Sequence, residues 1–216
     1  MGFGMGILAA PILALIDQRL VPAPVLLSTL VLTSLLAIRD RHAIDFDGLR
    51  WAVTGRVMGT VVAATVFVAL PEDQMAVFFG GLVLLAVGMS VSGLRVPPVP
   101  SCLLIAGVLS GLMGTVASIG GPPMALLYQD ARGDRLRGTV STFFWIGTIV
   151  SLVALRLIGR FGAEEISLAL VMLPGVLIGF FVSRRTAAFV DRGYTRPAVL
   201  TVAAVTGLLV VVRQLI

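Results

Sequence analysis

The chain consists of eight apolar runs separated by short polar connections, and this pattern restricts it to few architectures. The runs cover residues 1–16, 24–38, 50–70, 75–94, 101–128, 138–158, 166–183 and 197–213. Because about 20 apolar residues cross the hydrocarbon core as a helix, the chain has room for roughly six or seven crossings and for no separate soluble domain. The pattern predicts an all-α, polytopic integral membrane helix bundle that forms a single transmembrane domain.

The composition agrees with a lipid environment, since 58% of the residues are hydrophobic, 12% are charged and the mean hydropathy is +1.06. The net charge of +5 comes from 16 Arg residues and no Lys, and these residues gather in the connections rather than along one face. Such a distribution argues against nucleic acid as a partner and is typical of contact with lipid headgroups. We expect a multi-pass protein of the cell membrane, in the bacterial inner membrane.

The run at 101–128 contains helix-breaking residues, Gly120, Gly121, Pro122 and Pro123. Because hydrocarbon cannot solvate free backbone groups, a break is tolerated where protein or a water-filled cavity satisfies them, and polar solutes bind at such places. Gly allows close backbone approach and Pro suits a first helical turn, so we expect a helix to begin here with its positive dipole end facing an anion. The alternative is that these residues only kink and pack a helix.

Small and hydroxyl-bearing residues near the break complete the predicted substrate site. Gly114, Thr115 and Ser118 precede the break, and the hydroxyls are expected to replace part of an anion's hydration shell. Paired hydroxyls on two other helices are further candidates: Ser28, Thr29, Ser141 and Thr142. The same helices carry weaker candidates: Thr33, Ser34, Thr148 and Ser151. A bond to the residue's own helix explains any single one of these hydroxyls equally well.

Arg56 lies about two turns into the run at 50–70 and is the deepest basic residue outside a connection. Charge within a bilayer is expensive, so one reading makes Arg56 the counter-ion of a transported anion. The other reading is that its side chain snorkels to the membrane surface. The single His42 and single Cys102 indicate no metal cluster, no disulfide within one chain and no cofactor site.

The chain divides into two similar halves, a first membrane repeat at 1–94 and a second at 101–216. Residues 1–11 can be laid over 113–123, which makes Gly4, Gly6 and Pro11 the first-half counterparts of the later break. In the same register, the pair Gly55 and Gly59 corresponds to Gly175 and Gly179, although such spacing is common in membrane helices. The first run is short for a crossing, so we expect a half-helix and further residues upstream of Met1.

The Arg distribution predicts the orientation of the bundle. Connections at 39–50, 129–137 and 184–196 are basic and should face the cytoplasm, whereas 71–74 and 159–165 should face outward. Since 101–128 then starts and finishes on the same side, it should enter the membrane and return as a broken hairpin. The two repeats are therefore expected to be inverted, each headed by a re-entrant or broken helix.

These residues resemble a known family. Gly111, Gly114 and Thr115, followed by Ile119-Gly-Gly-Pro-Pro123, together with Gly-Phe-Gly-x-Gly and Pro11 near the start, look like the TauE/SafE sulfite exporter family. The resemblance implies a secondary transporter that exports small anions such as sulfite, sulfonates and related organosulfur acids. The first half departs from strict symmetry, because Ala9-Ala-Pro11 stands where the second half has Gly120-Gly-Pro122.

Two other classes of protein compete with a transporter. An enzyme is disfavoured because the sequence has no nucleophile elbow, zinc-protease pair or phosphate-binding loop. The lack of a phosphate-binding loop also favours a secondary carrier over a transporter that hydrolyses ATP. A non-transporting membrane subunit or scaffold would make the Gly-Gly-Pro break dry and packed. The partners expected for a carrier are membrane lipid, a small anionic substrate, a coupling proton or ion, and a second copy in a homo-oligomer.

Overall fold

The computed structural model of the protein describes residues 3–40, 45–128, 134–190 and 195–215, and these residues form an all-helical bundle. The helices are α1 (Phe3–Ile16), α2 (Ala23–Asp40), α3 (Phe46–Ala69), α4 (Glu72–Val91), α5 (Pro100–Ala117), α6 (Gly121–Tyr128), α7 (Asp134–Leu157), α8 (Ala163–Val190) and α9 (Thr195–Leu215). Five segments are long and apolar enough to cross a membrane: Gln18–Ile38, Phe46–Ala69, Gln74–Val91, Pro100–Ala117 and Gly138–Leu157. The predicted polytopic helix bundle is confirmed. His42 and the basic connections at 129–133 and 191–194 lie outside the described residues.

The break in the run at 101–128 has the expected hairpin shape. Helix α5 ends at Ala117, Ser118 adopts a left-handed conformation with φ of 57°, and α6 begins at Gly121. The chain then runs back along α5, since the Val96 amide donates to the Leu126 carbonyl at 3.5 Å. Leu103 and Leu127 accordingly share one hydrophobic cluster. The hairpin places the start of α6 inside the bundle, beside the middle of α5.

Helices α3 and α5 pack with their backbones close together. A Cβ atom on Gly55 or Gly59 of α3 would overlap the backbone of α5, and one on Gly107 or Gly111 of α5 would overlap α3. Small residues at four-residue spacing allow such close approach in membranes, where packing rather than water drives helix association. This contact fixes the rotation of α3 relative to α5. It therefore decides which side chains of the two helices face each other.

The second pair of glycines occupies a different environment. Gly175 and Gly179 on α8 have nothing within 4 Å of the position that a Cβ atom would take. Their sequence correspondence with Gly55 and Gly59 is therefore not matched by equivalent packing in this chain. The same surface of α8 carries exposed apolar side chains such as Leu170 and Val171, as expected where a helix faces lipid.

Helix α1 differs from the predicted first-half break. It is a single helix from Phe3 to Ile16 that continues through Pro11, so Gly4, Gly6 and Pro11 do not interrupt it. The prolines of the later break instead open a new helix, because the left-handed Ser118 ends α5 directly before them. A Cβ atom on Gly6 would overlap the Ser118 carbonyl, and Pro11 is buried. The two places aligned by the repeat thus touch one another, although only the second is broken.

Candidate functional site

Arg56 lies ten residues after the first residue of α3, about 15 Å along a 24-residue helix. Its relative exposure is only 2%, so the side chain points into the bundle. The snorkelling interpretation of Arg56 is therefore wrong, because a snorkelling side chain would place its charged end in water. The structure instead buries a guanidinium near the middle of a membrane helix.

The guanidinium donates hydrogen bonds only to neutral oxygen atoms. Nη1 donates to the backbone carbonyl of Ser110 and, at 2.9 Å, to its hydroxyl, while Nη2 donates to the Ser151 hydroxyl at 3.3 Å. Nε is buried without a hydrogen-bond partner. Among the described residues, no carboxylate forms an ion pair with Arg56. The positive charge is thus held in place but not neutralised by the protein.

Three glycines make room for this guanidinium. A Cβ atom on Gly120 would lie 2.5 Å from Nη1, and one on Gly147 would lie 2.5 Å from Nε. A Cβ atom on Gly114 would overlap the guanidinium as well. The ring of Phe143 covers another side, with its centroid 5.9 Å from the guanidinium carbon. These residues need to be Gly because any side chain would displace the charged group.

A chain of hydroxyl groups leads away from Arg56. The Thr115 hydroxyl lies 2.8 Å from that of Ser151, and it donates to the hydroxyl of Thr60 at 3.2 Å. All three residues are buried. A hydroxyl has one hydrogen, so with Thr115 donating to Thr60 the Ser151 hydroxyl accepts from Arg56 and donates to Thr115, and the hydrogen at the end of the chain is that of Thr60.

We call these residues the Arg56 cluster: Arg56, Thr60, Ser110, Gly114, Thr115, Gly120, Gly147 and Ser151. Three helices each contribute a pair of members one turn apart, at i and i+4, which lie on the same helix face, and α5 adds Thr115. The pairs are Arg56 with Thr60 on α3, Ser110 with Gly114 on α5, and Gly147 with Ser151 on α7. Gly120 connects the cluster to the break between α5 and α6, because its carbonyl accepts a hydrogen bond from the Ser110 hydroxyl at 2.6 Å.

Helix α6 begins beside the cluster but offers fewer donors than the sequence suggested. Its second and third residues, Pro122 and Pro123, carry no N–H, which leaves the amides of Gly120 and Gly121 as the free donors of the first turn. Gly121, Pro122 and Pro123 are all buried. The dipole still directs its positive end toward the break, so Arg56 and α6 contribute charge of the same sign.

Other residues predicted for the site lie apart from the guanidinium. The Ser118 hydroxyl donates to the Pro22 carbonyl at 3.2 Å and so ties the break to the first half. Ser28 is fully buried and its hydroxyl has no partner, whereas Thr29 is half-buried on the same helix. Ser141 and Thr142 are half-buried on α7, and neither is a hydrogen-bond partner of Arg56.

Sequence reasoning missed Ser110, Gly147, Thr60 and Phe143, and it ranked Ser151 below Ser141. A signal was available, because small or hydroxyl-bearing residues one turn apart recur on the helices that surround the single mid-helix Arg. That signal becomes specific only when the helices that face each other are known.

A cavity of about 290 Å³ lies elsewhere in the bundle, and no residue of the Arg56 cluster lines it. Val116 and Pro22 form part of its wall. Val116 follows Thr115 in the chain, and the Pro22 carbonyl accepts the hydrogen bond from the Ser118 hydroxyl. Charged side chains line it farther out: Arg19, Arg160, Glu164 and Glu165. We call it the Arg19 cavity. It includes Val116, next to Thr115, but no residue of the break, which is buried.

Arg19 orders the polar end of this cavity. Its guanidinium donates to Asp17 at 2.9 Å and reaches Glu164 of α8 at 3.5 Å. The side-chain hydrogen bond from Arg19, followed by the bond from its backbone amide, lowers the pKa of Asp17 below its ordinary value. Asp17 therefore stays ionised, and it also caps the short helical turn Gln18–Leu20.

Comparison with known proteins agrees with this architecture. The family profile described as "Sulfite exporter TauE/SafE" matches residues 1–210. No curated protein and no solved structure gave a significant match to the chain. The family match covers both halves, including the break, the mid-helix Arg56 and the surrounding glycines. The chain therefore belongs to the TauE/SafE sulfite exporter family of membrane transporters.

Proposed function

We propose that the protein is a secondary transporter that exports small anions of the sulfite and sulfonate class, and that the anion binds against Arg56 at the break between α5 and α6. The observation that carries this proposal is a buried guanidinium whose partners are all neutral. The family supplies the substrate class. The Arg56 cluster supplies a chemical reason for selecting anions.

Arg56 is a buried charge without an opposite charge beside it in the part of the chain that the structure describes. Burying an ion costs several kcal/mol even after the surroundings relax, and hydrogen bonds to neutral hydroxyls recover only part of this. An anion that reaches the guanidinium adds the missing opposite charge in a medium of low dielectric constant, where the attraction is strong. The free energy lost by burying Arg56 then becomes favourable binding energy for an anion.

The geometry suits an anion with several oxygen atoms. Arg presents its N–H donors in a planar fork, and its Nε–H has no partner within the protein. The amides of Gly120 and Gly121 lie on the adjoining segment, and the hydroxyl chain ends in the Thr60 hydrogen. Sulfite and sulfonate groups have three oxygens arranged around sulfur, so one face can meet the guanidinium while another meets these donors.

A non-transporting subunit or scaffold remains the competing function. It would require a dry, packed break, and the break is indeed buried. The packing, however, surrounds a charged group and a chain of hydroxyls rather than apolar side chains. A scaffold has no need to keep a cation at that depth, so neutral replacement of Arg56 separates the two functions.

The test is anion flux in proteoliposomes made with the purified chain. Sulfite, ethanesulfonate, sulfate and acetate are compared for the wild type, Arg56→Gln and Arg56→Lys. Arg50→Gln is the matched control, because Arg50 lies on the same helix with a side chain that is 68% exposed. We expect Arg56→Gln to reduce flux by about a hundredfold or more, since charge-assisted hydrogen bonds are the strong ones.

Arg56→Lys should retain part of the flux, because it keeps the charge but loses the planar fork. Arg50→Gln should stay within about twofold of the wild type, as expected for an exposed charge. Thermal unfolding in detergent, with and without ethanesulfonate, checks that each variant is folded and reports binding directly. Wild-type flux from folded Arg56→Gln would overturn the site, and absence of anion flux from the wild type would favour the scaffold.

A further inference from the structure

Among the described residues, the helices that surround the site contain one charged group away from the helix ends, Arg56. Every Asp and Glu among the described residues lies in a connection or within the first or last turn of a helix, and His42 lies outside the described residues. The interior of α3 contributes Arg56, and no carboxylate or imidazole lies at comparable depth in the helices. The binding site therefore has a single fixed positive charge and no group that changes charge near neutral pH.

Among the described residues, the helices packed against Arg56 place no second charged group beside it. Helices α5 and α6 carry no charged residue. The charged residues of α7 are at its ends, Asp134, Arg135 and Arg137 on one side and Arg156 on the other. On α3 itself, Asp47 and Arg50 lie in the first turns, away from the cluster. None of these groups neutralises Arg56 within the bundle.

We infer, on the basis of the proposed function, that this carrier exchanges one monovalent anion for another and binds no coupling proton of its own. A monoanion at the Arg56 cluster makes the site neutral. The site without an anion has a net charge of +1, and the site with a dianion has a net charge of −1. Moving net charge through the bilayer interior is costly, whereas moving a neutral site is not.

The single positive charge of the site also specifies the charge of the preferred substrates. Sulfonates and hydrogen sulfite are monoanions and match the single guanidinium, whereas sulfate is a dianion. Proton relays in membranes are built from chains of Asp, Glu or His, and the hydroxyl chain of Thr60, Thr115 and Ser151 contains no such group. Any proton that crosses with sulfite must therefore be carried on the substrate as hydrogen sulfite. Ethanesulfonate, which has no titratable proton, separates anion exchange from proton transfer.

The experiment measures uptake of labelled ethanesulfonate into proteoliposomes that contain the full chain. The interior holds either ethanesulfonate or sulfate at equal ionic strength, and potassium with valinomycin clamps the membrane potential at zero. We expect uptake to be roughly tenfold faster or more with ethanesulfonate inside, because only then does the site return in a neutral form. A protonophore and an imposed pH gradient should leave the rate unchanged.

Arg56→Gln should remove the acceleration by internal ethanesulfonate, whereas Arg50→Gln should keep it. Equal uptake into ethanesulfonate-loaded and sulfate-loaded vesicles would overturn the exchange while leaving the proposed transport intact. Uphill accumulation driven by a pH gradient, and abolished by the protonophore, would overturn the absence of a coupling proton. No flux of any anion by the wild type would overturn both the exchange and the proposed function.

Discussion

Arg56 on α3 and Ser151 on α7 are joined by a 3.3 Å hydrogen bond from Nη2 to the hydroxyl, although 95 residues separate them in the chain. The same hydroxyl lies 2.8 Å from that of Thr115 on α5. Ser151 is therefore the point where three helices meet around the buried charge. Removing the Ser151 hydroxyl removes both the acceptor for the Arg56 hydrogen bond and the hydrogen-bond partner of Thr115.

Replacing Ser151 with Ala should lower the free energy of unfolding by about 1.5–3 kcal/mol, since a hydrogen bond to a charged group is lost and Nη2 stays buried. Thr148→Ala is the matched control one turn earlier in register, because Thr148 is buried but bonds only to the Phe144 carbonyl of its own helix. Denaturant or thermal unfolding in detergent measures both variants. Equal losses would show that the Ser151 contact with Arg56 contributes nothing specific.

Gly147→Ala should strongly reduce anion flux, because the new Cβ atom would lie 2.5 Å from Nε of Arg56 and would push the guanidinium aside. The control is Gly175→Ala, where nothing lies within 4 Å of the added atom. Flux is measured in liposomes, and size-exclusion profiles confirm folding. We expect a loss of about tenfold or more for the first variant, since a small misplacement of a binding group is costly, and little change for the second.

Gly59→Val should destabilise the bundle, whereas Gly179→Val should not. At Gly59 any side chain meets the backbone of Val108 on α5, which cannot move like a flexible side chain, and overpacking typically costs about 1–3 kcal/mol or more. At Gly179 the space is open. Yield and melting temperature in detergent measure the difference. A melting temperature for Gly59→Val equal to that of the wild type would contradict the close α3–α5 contact.

The Asp17 interaction with Arg19 should make a pH-dependent contribution to stability. Because Arg19 lowers the folded-state pKa of Asp17, this contribution is present above the unfolded-state pKa of about 3.9 and is lost as the pH falls through the lower folded value. Asp17→Asn should thus lower the melting temperature at pH 7 but match the wild type in strong acid. Asp47→Asn, at a side chain that is 93% exposed, serves as the control. A difference from wild type that persists in strong acid would exclude this ionisation as the cause.

The connection at 71–74 should face the outside, as its lack of basic residues predicts. A Cys introduced at the exposed Gln74, in a Cys102→Ser background, should react with a membrane-impermeant maleimide added to intact cells. Labelling only after the cells are opened would reverse the predicted orientation. That result would also remove the basis for treating the two repeats as inverted.

The sequence alone determined the helical bundle and the place of its break, because both depend on local properties. Apolar runs of bilayer length cannot leave their backbone unsatisfied, so helices over segments such as 46–69 and 100–117 follow from composition. The break at 118–120 likewise follows from Gly and Pro chemistry. Local chemistry alone does not predict every break, because α1 continues through Pro11, whereas the chain turns directly before Pro122.

Only the tertiary structure decided what Arg56 does and which residues surround it. A long, flexible side chain on a membrane helix can reach the surface or the bundle interior, and its sequence position permits both. The close packing of α3 on α5, which depends on glycines in both helices, turns Arg56 toward Ser110. The position of α7 then brings Gly147 and Ser151 to the guanidinium. Residue spacing within one helix cannot specify this arrangement, because the mutual packing of the three helices sets their relative rotation.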